Sequence, residues 1–295
     1  MNQFFKEIWW VLRFLFYLLT TKPNKSATPD MEESVNDGHD INEMEDPDTD
    51  DLDDMEDPDT DDLDDLDDME EPVDENNEYN KMRNVVICLD NGHGEETPGK
   101  GSPWSIYKVP PEIPFKEYLY CRGIVSRLAQ VLYKEGYPVF IVTPELEDIT
   151  LAERGRRINK IVADAKAKGM RTISISIHNN AAGNGHEWKK AYGWSVWTTR
   201  GQNTSDKLAQ CLYDAAKDVL TPLGQKTRHD TTDGDDDYES NFAMCRIPNC
   251  PAVLTENMFQ DCIDEVKFLN TEEGKNAIVE IHRRGINKFI EMMGW

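Results

Sequence analysis

The sequence predicts an α/β fold: a three-layer domain with a largely parallel, twisted sheet flanked by helices, preceded by a disordered acidic leader. Three observations carry this expectation. Charge divides the chain, because residues 1–80 hold 28 acidic and 4 basic side chains while residues 81–295 hold 29 and 28. From residue 81 onward, short apolar runs alternate with amphipathic stretches, the pattern of strands interleaved with helices. Three of those apolar runs also stop abruptly at a histidine or a carboxylate, where packing alone gives no reason for one.

The leader has two parts. Residues 1–20 carry an apolar run, Ile8–Leu19, broken by Arg13 and shorter than the roughly 20 residues of a comfortable membrane span. Three readings stay open: an uncleaved signal-anchor, an interfacial helix with Trp9, Trp10, Phe14 and Phe16 in the headgroups, or an artefact of the assigned start. The first two imply membrane contact and a place in the cell envelope. Residues 21–80 form a linker in which Met-Glu-Asp-Pro-Asp-Thr-Asp-Asp-Leu-Asp-Asp occurs at 44–54 and again at 55–65. Dense like charge with few apolar residues cannot support a core, so this segment is expected to be a disordered, solvated spacer. Asp46, Asp48 and Asp50 have calcium-loop spacing, but Asp51 stands where such a loop needs Gly and Asp57 where it needs Glu.

Residues 81–295 are the expected catalytic domain, long enough for one substantial core. Val85–Leu89 reads as a buried strand. Phe115–Glu135 reads as a helix, with Cys121, Ile124, Val125, Leu128, Val131 and Leu132 on one stripe and Gly136 ending it. Val139–Val142 is a strand, and Leu151–Lys168 an amphipathic helix stopped by Gly169. Arg171–Ile177 and Gly193–Thr198 are strands. Ser205–Leu220 is a helix capped by its serine and stopped by Pro222. Ala252–Thr255 is a strand, and Glu272–Met293 closes the chain as a helix. The charge balance of this domain, without a basic patch, argues against a nucleic-acid partner. Its six cysteines contain no C-x-x-C pair; Cys245 and Cys250 flank a turn and could pair, but no disulfide framework is indicated.

The chemistry sits at strand ends, where open α/β sheets gather their ligands. His93 lies between two glycines in Asp90-Asn91-Gly92-His93-Gly94, just past the first strand. His178 follows the run Thr172–Ile177. Glu117 stands four residues before Cys121, so it shares the helix face that points at the sheet; Glu112 is its rival. Glu256 ends the run Ala252–Thr255, where a carboxylate is costly to desolvate unless it is paired or works on a proton. Taken singly, each has an ordinary structural reading. Together, two histidines and a glutamate are a common protein ligand set for catalytic zinc, with a position left for water, and a second glutamate supplies a general base.

At these residues the chain resembles the zinc-dependent N-acetylmuramoyl-L-alanine amidases of the type-3 amidase family. The family's Asp-Pro-Gly-His-Gly turn is similar to Asp90–Gly94, its Ser-Ile-His-x-Asn-Ala motif to Ser176–Ala181, and its Pro-Ala-Val-Leu-x-Glu run to Pro251–Glu256. Gly193–Val196 and Thr150–Arg154 resemble two further segments, and the resemblance spans about residues 85–293. It implies that His93, Glu117 and His178 hold Zn2+ and that Glu256 activates the attacking water and passes its proton to the leaving amine. The bond cut is then the amide between N-acetylmuramic acid and L-alanine in peptidoglycan, and the expected site of action is periplasmic or extracellular, in a bacterial envelope or as a phage lysin. Asn179 and Arg154, in the matched segments, are candidates for substrate binding, and the chain is expected to act as a monomer.

Three departures from the family stand out. Asn91 replaces the proline, which is expected to loosen the turn. The stretch from His93 to Glu117 is long and carries Trp104, Tyr107 and three prolines. The polar loop Lys226–Asn241, with His229 as a lesser candidate, could shape the cleft. A zinc peptidase acting on stem or other peptides, and a non-catalytic wall-binding protein, are the alternatives.

Overall fold

The computed structural model describes residues 82–295. The expectations for residues 1–20, for the acidic repeat and for its calcium-like spacing lie outside the described residues. In chain order the elements are β1 (Val85–Asn91), α1 (Pro103–Tyr107), α2 (Glu117–Lys134), β2 (Val139–Ile141), α3 (Leu151–Ala167), β3 (Arg171–Asn180), β4 (Ser195–Thr198), α4 (Thr204–Leu220), β5 (Tyr238–Glu239), α5 (Ala243–Arg246), β6 (Ala252–Phe259), α6 (Ile263–Asn270) and α7 (Glu272–Met293). The strands make one sheet in the order β2-β1-β3-β6-β4-β5.

Strands β2, β1, β3 and β6 are mutually parallel. Every residue of β1 is buried, as expected of a parallel strand covered on both faces. The odd residues Ile173, Ile175 and Ile177 of β3 join the main core with Ile87, Leu89 and Val253. Against that face pack α2, α4 and α7, through Ile124, Leu128, Leu208, Leu212, Ile278 and Phe289. Helices α3 and α5 cover the opposite face. The three-layer α/β architecture read from the sequence is the observed one.

The differences are local. β4 runs antiparallel to β6, so the sheet is mixed at that edge. Helix α4 is capped by Asn203, not Ser205; Asn203 and Asp206 form a capping box that satisfies two end amides at once. The short α1, α5, α6 and β5 have too few residues to show a period. β3 and β6 extend past the apolar runs, because the backbone ladder continues through polar residues: His178 pairs in register with Glu256. All six cysteines are free, Cys245 and Cys250 included. Among the described residues no helix is long and apolar enough to cross a membrane.

Candidate active site

β1 feeds a chain that returns to the sheet on one side as β2 and on the other as β3. This is the switch point at which α/β sheets open a crevice beyond the strand ends. There the structure brings together His93, Glu117 and His178, with one ligand-capable atom of each within 4.8 Å of the others. Glu117 Oε1 lies 3.3 Å from His93 Nε2 and 3.2 Å from His178 Nδ1. The two imidazole rings meet edge to face at 4.8 Å. Glu112 is exposed and outside this group, so the rivalry between the two glutamates falls to Glu117. His229 is also elsewhere: it contacts the Tyr213 hydroxyl at 2.7 Å and Asp236 at 3.4 Å.

Each side chain is delivered by a different device. Glu117 opens α2 without a side-chain cap below it; its own N–H bonds Lys100 O at 3.2 Å, and its carboxylate turns inward to accept the Asn179 N–H at 2.9 Å. His178 stays on the β3 ladder. Gly92 allows its ring to approach, since a Cβ at residue 92 would stand 2.5 Å from the imidazole. His93 sits just past β1 in the left-handed region, at φ 62°, where a side chain other than glycine is uncommon. Gly94 next to it lies against the Asp148 backbone, with room for no Cβ at all.

The left-handed turn at His93 is held from outside by guanidiniums. Arg154 donates to Asp90 Oδ1 at 2.9 Å, to Asn91 O at 2.7 Å and to Asp148 at 3.1 Å. Arg122 donates to His93 O at 3.0 Å and clasps Glu145 O. Asp90 accepts a further bond from the Ser176 hydroxyl, which ties β1 to β3. Asn91 does not loosen the turn: it is buried, and its Nδ2 bonds Thr143 O at 2.9 Å. Arg154 and Asn179 are 2% and 3% exposed, and their hydrogen bonds run to protein groups, with Asn179 Nδ2 on Asn257 O at 2.5 Å. Neither is presented to the open side.

Charge follows from this burial. Burial alone would raise the Glu117 carboxyl, yet hydrogen bonds from His178 and His93 overcome it and hold the group far below the usual range. Burial lowers His93, against the pull of Glu117. Glu256, across from His178 on β6, is pushed up to about 7, by burial first and by Glu117 in addition. Glu117 Oε2 and Glu256 Oε2 are both buried with no hydrogen-bond partner. Two orphaned carboxylate oxygens beside two imidazoles make a donor set that could hold a cation.

Two groups of the site had no signal in the sequence. The positive charge of Lys100 is felt by both His93 and Glu256. Asn257 braces β3 from behind, donating to His178 O at 3.0 Å and accepting from Trp194 Nε1 at 2.7 Å. Lys100 sits in an irregular segment and Asn257 acts across strands, so neither periodicity nor spacing marks them. A separate cleft of about 820 Å3, lined by Arg200, Arg246 and Cys250 among others, holds none of the site residues.

The three-layer α/β sheet gathers two imidazoles and two carboxylates at its switch point, the place where proteins of this class carry out their chemistry. The pattern of the N-acetylmuramoyl-L-alanine amidases matches residues 87–288, and the chain belongs to that family. It is 26% identical to the endolysin of Bacillus phage SPP1 over 211 residues, covering 70% of this chain and 66% of that endolysin's length. The fold is shared with the N-acetylmuramoyl-L-alanine amidase of Clostridium difficile 630, at a TM-score of 0.57 and 22% identity over 71% of this chain and 98% of that one. It is shared also with the N-acetylmuramoyl-L-alanine amidase AmiC2 of Nostoc punctiforme, at a TM-score of 0.56 and 18% identity over 72% of this chain and 99% of that one.

Proposed function

We propose that this protein hydrolyses the amide between N-acetylmuramic acid and L-alanine in peptidoglycan, with Zn2+ held by His93, Glu117 and His178 and with Glu256 as the general base. The observation that carries the proposal is the convergence of those three ligands on one point, with Glu117 Oε2 orphaned there and Glu256 in register with His178. The donor set of two nitrogens and a carboxylate is one that zinc favours in hydrolases. Zinc, when bound, polarises the scissile carbonyl and acidifies the attacking water.

The protein's own groups do the rest. Asn179 N–H fixes the Glu117 carboxylate, and Gly92 sets the His178 ring against the β1 turn. Arg154 and Asn179 therefore read as positioning residues. Glu256 Oε2, buried and without a donor, takes the proton of the attacking water and returns it to the departing amine. Its raised affinity for a proton, near neutrality, suits both halves of that transfer. Lys100 offsets negative charge that develops beside His93 and Glu256. Water adds across the amide, so the products are the lactyl carboxylate and a peptide beginning with L-alanine. The site of action is then the cell wall, outside the cytoplasm, where such amides occur.

The test is digestion of purified peptidoglycan by the full-length protein, with mass analysis of the fragments and zinc measured by elemental analysis. The native protein is expected to release peptides with free L-alanine amino termini and to carry about one zinc. Glu256→Gln is expected to keep the zinc and lose roughly 10²-fold or more in rate. Fragments cut within the stem peptide would instead make it a peptidase. An undiminished rate in Glu256→Gln would remove Glu256 from its role.

A further inference from the structure

Beyond β4, at the edge of the sheet that the hydrolase site does not use, a second group of acidic side chains converges. Asp206 lies in the first turn of α4, and Asp235 and Asp237 lie on the segment entering β5. One oxygen of each is within 4.8 Å of the others. Asp206 is 5% exposed and Asp237 1%. Among the described residues no Lys, Arg or His forms an ion pair with any of the three.

Their donors are neutral and too few. The Thr198 hydroxyl gives one bond to Asp237 Oδ2 at 2.5 Å, Gln202 Nε2 gives one to Asp235 Oδ2 at 2.7 Å, and the Asn203 N–H bonds Asp206. That leaves Asp235 Oδ1 and Asp237 Oδ1 buried with no hydrogen-bond partner. Asp237, on a side chain almost wholly enclosed, faces Asp235 closely enough that the pair needs either a shared proton or a cation between them. Carboxylates this close repel one another, and burying one unpaired is costly enough that it is normally neutralised. A cation would supply the neutralising charge. The donor set is all oxygen, with no nitrogen or sulfur, and the Thr198 hydroxyl lies beside it; that hardness fits calcium rather than zinc.

We propose that Asp206, Asp235 and Asp237 form a calcium site, separate from the hydrolase centre, that fastens the segment entering β5 to the head of α4 and the end of β4. β5 is only two residues long and, among the described residues, pairs with β4 alone. An ion bridging α4 to the chain just before β5 would give that short edge strand an anchor its own two-residue ladder cannot. The site owes nothing to the assignment of the amide substrate.

The experiment uses the full-length, zinc-loaded protein in calcium-free buffer. Calcium chloride at millimolar concentration is expected to raise Tm by several degrees. Terbium is expected to luminesce on excitation of Trp197, which neighbours Thr198 and stacks on Tyr238 at 4.7 Å. Asp235→Asn and Asp237→Asn should abolish both effects; because Asp235 is part-exposed, its variant remains informative if the other fails to fold. The acidic leader is the same in all three proteins, so an equal calcium response in Asp235→Asn would assign the effect to the leader and overturn the site. Magnesium acting as well as calcium would overturn the choice of ion. No calcium response, with Asp237→Asn more stable than the native protein, would replace the ion by a proton shared between Asp235 and Asp237.

Discussion

His93 and His178 reach the same carboxylate oxygen from unlike backbones. His178 remains in the β3 ladder, paired with Glu256, and its position follows from sheet register. His93 has left β1 for a left-handed turn at φ 62°, and side chains hold it there: its carbonyl is bonded by Arg122, and the residues before it by Arg154. One histidine is placed by main-chain hydrogen bonds, which any sequence of the right period makes. The other is placed by guanidiniums from two different helices. The first should tolerate change around it, and the second should not.

The largest effect expected is the loss of either ligand. His178→Ala and His93→Ala should each remove most bound zinc and essentially all release of L-alanyl peptide, read by elemental analysis and fragment mass. If His93→Ala kept native zinc and rate, the turn would be structural and the ligand set wrong.

Next comes the clasp. Arg154→Met leaves Asp90 buried and unpaired, which should lower stability by about 3–5 kcal/mol in urea unfolding. Arg154→Lys keeps the charge but not the fork of donors, so it should fold while weakening zinc affinity or rate about 10–100-fold, the range typical of groups that orient ligands. Equal zinc affinity in Arg154→Lys and the native protein would show that the turn holds itself, and the contrast between the two histidines would collapse.

The ladder side can be probed by pH. Behind His178, Asn257 bonds Thr255, and the Thr255 hydroxyl meets His282 Nε2 at 2.9 Å. Burial lowers the His282 pKa from 6.5 to about 4. The unfolded chain therefore takes up this proton before the folded one does. The stability that His282 contributes is complete above pH 6.5 and is lost as pH falls towards 4, up to about 3 kcal/mol. Urea midpoints measured from pH 7 down to 4.5 should fall less steeply in His282→Gln than in the native protein. Parallel slopes would mean that His282 is solvated or charged in the folded state.

The same contrast explains what was legible in the sequence. β1, β2, β3, β4 and β6 are visible as short apolar runs, and α2, α3, α4 and α7 because their apolar periods are long. His178 and Glu256 were visible because a polar residue ending a buried run has no packing reason to be there. His93 and Glu117 were visible only as members of a set. The clasp was not: Arg154 and Asp90 are 64 residues apart, and nothing in spacing links them. Asn91 shows the limit most clearly. Read alone, it loosens a turn; folded, its amide closes the end of β1 onto Thr143. The Asp206, Asp235 and Asp237 group is hidden likewise, since Asp235 and Asp237 belong to the polar loop Lys226–Asn241 and Asp206 to a helix start.

The smallest effect expected is none, and it bears on how the third ligand is chosen. Glu112 and Glu117 lie five residues apart, the first near the end of the long segment from His93 and the second closing it. What separates them is the start of α2. Glu117 is its first residue, with no exposure, and two imidazoles and a backbone amide surround its Oε1. Glu112 stands in the Pro-rich approach, exposed, where screening leaves a carboxylate little influence on a centre it does not touch. Glu112→Gln should therefore leave zinc content, rate and Tm within error of the native protein, while Glu117→Gln should lose zinc. A drop in zinc for Glu112→Gln would mean that the segment before α2 closes over the centre in solution, and that the helix start alone does not select the ligand.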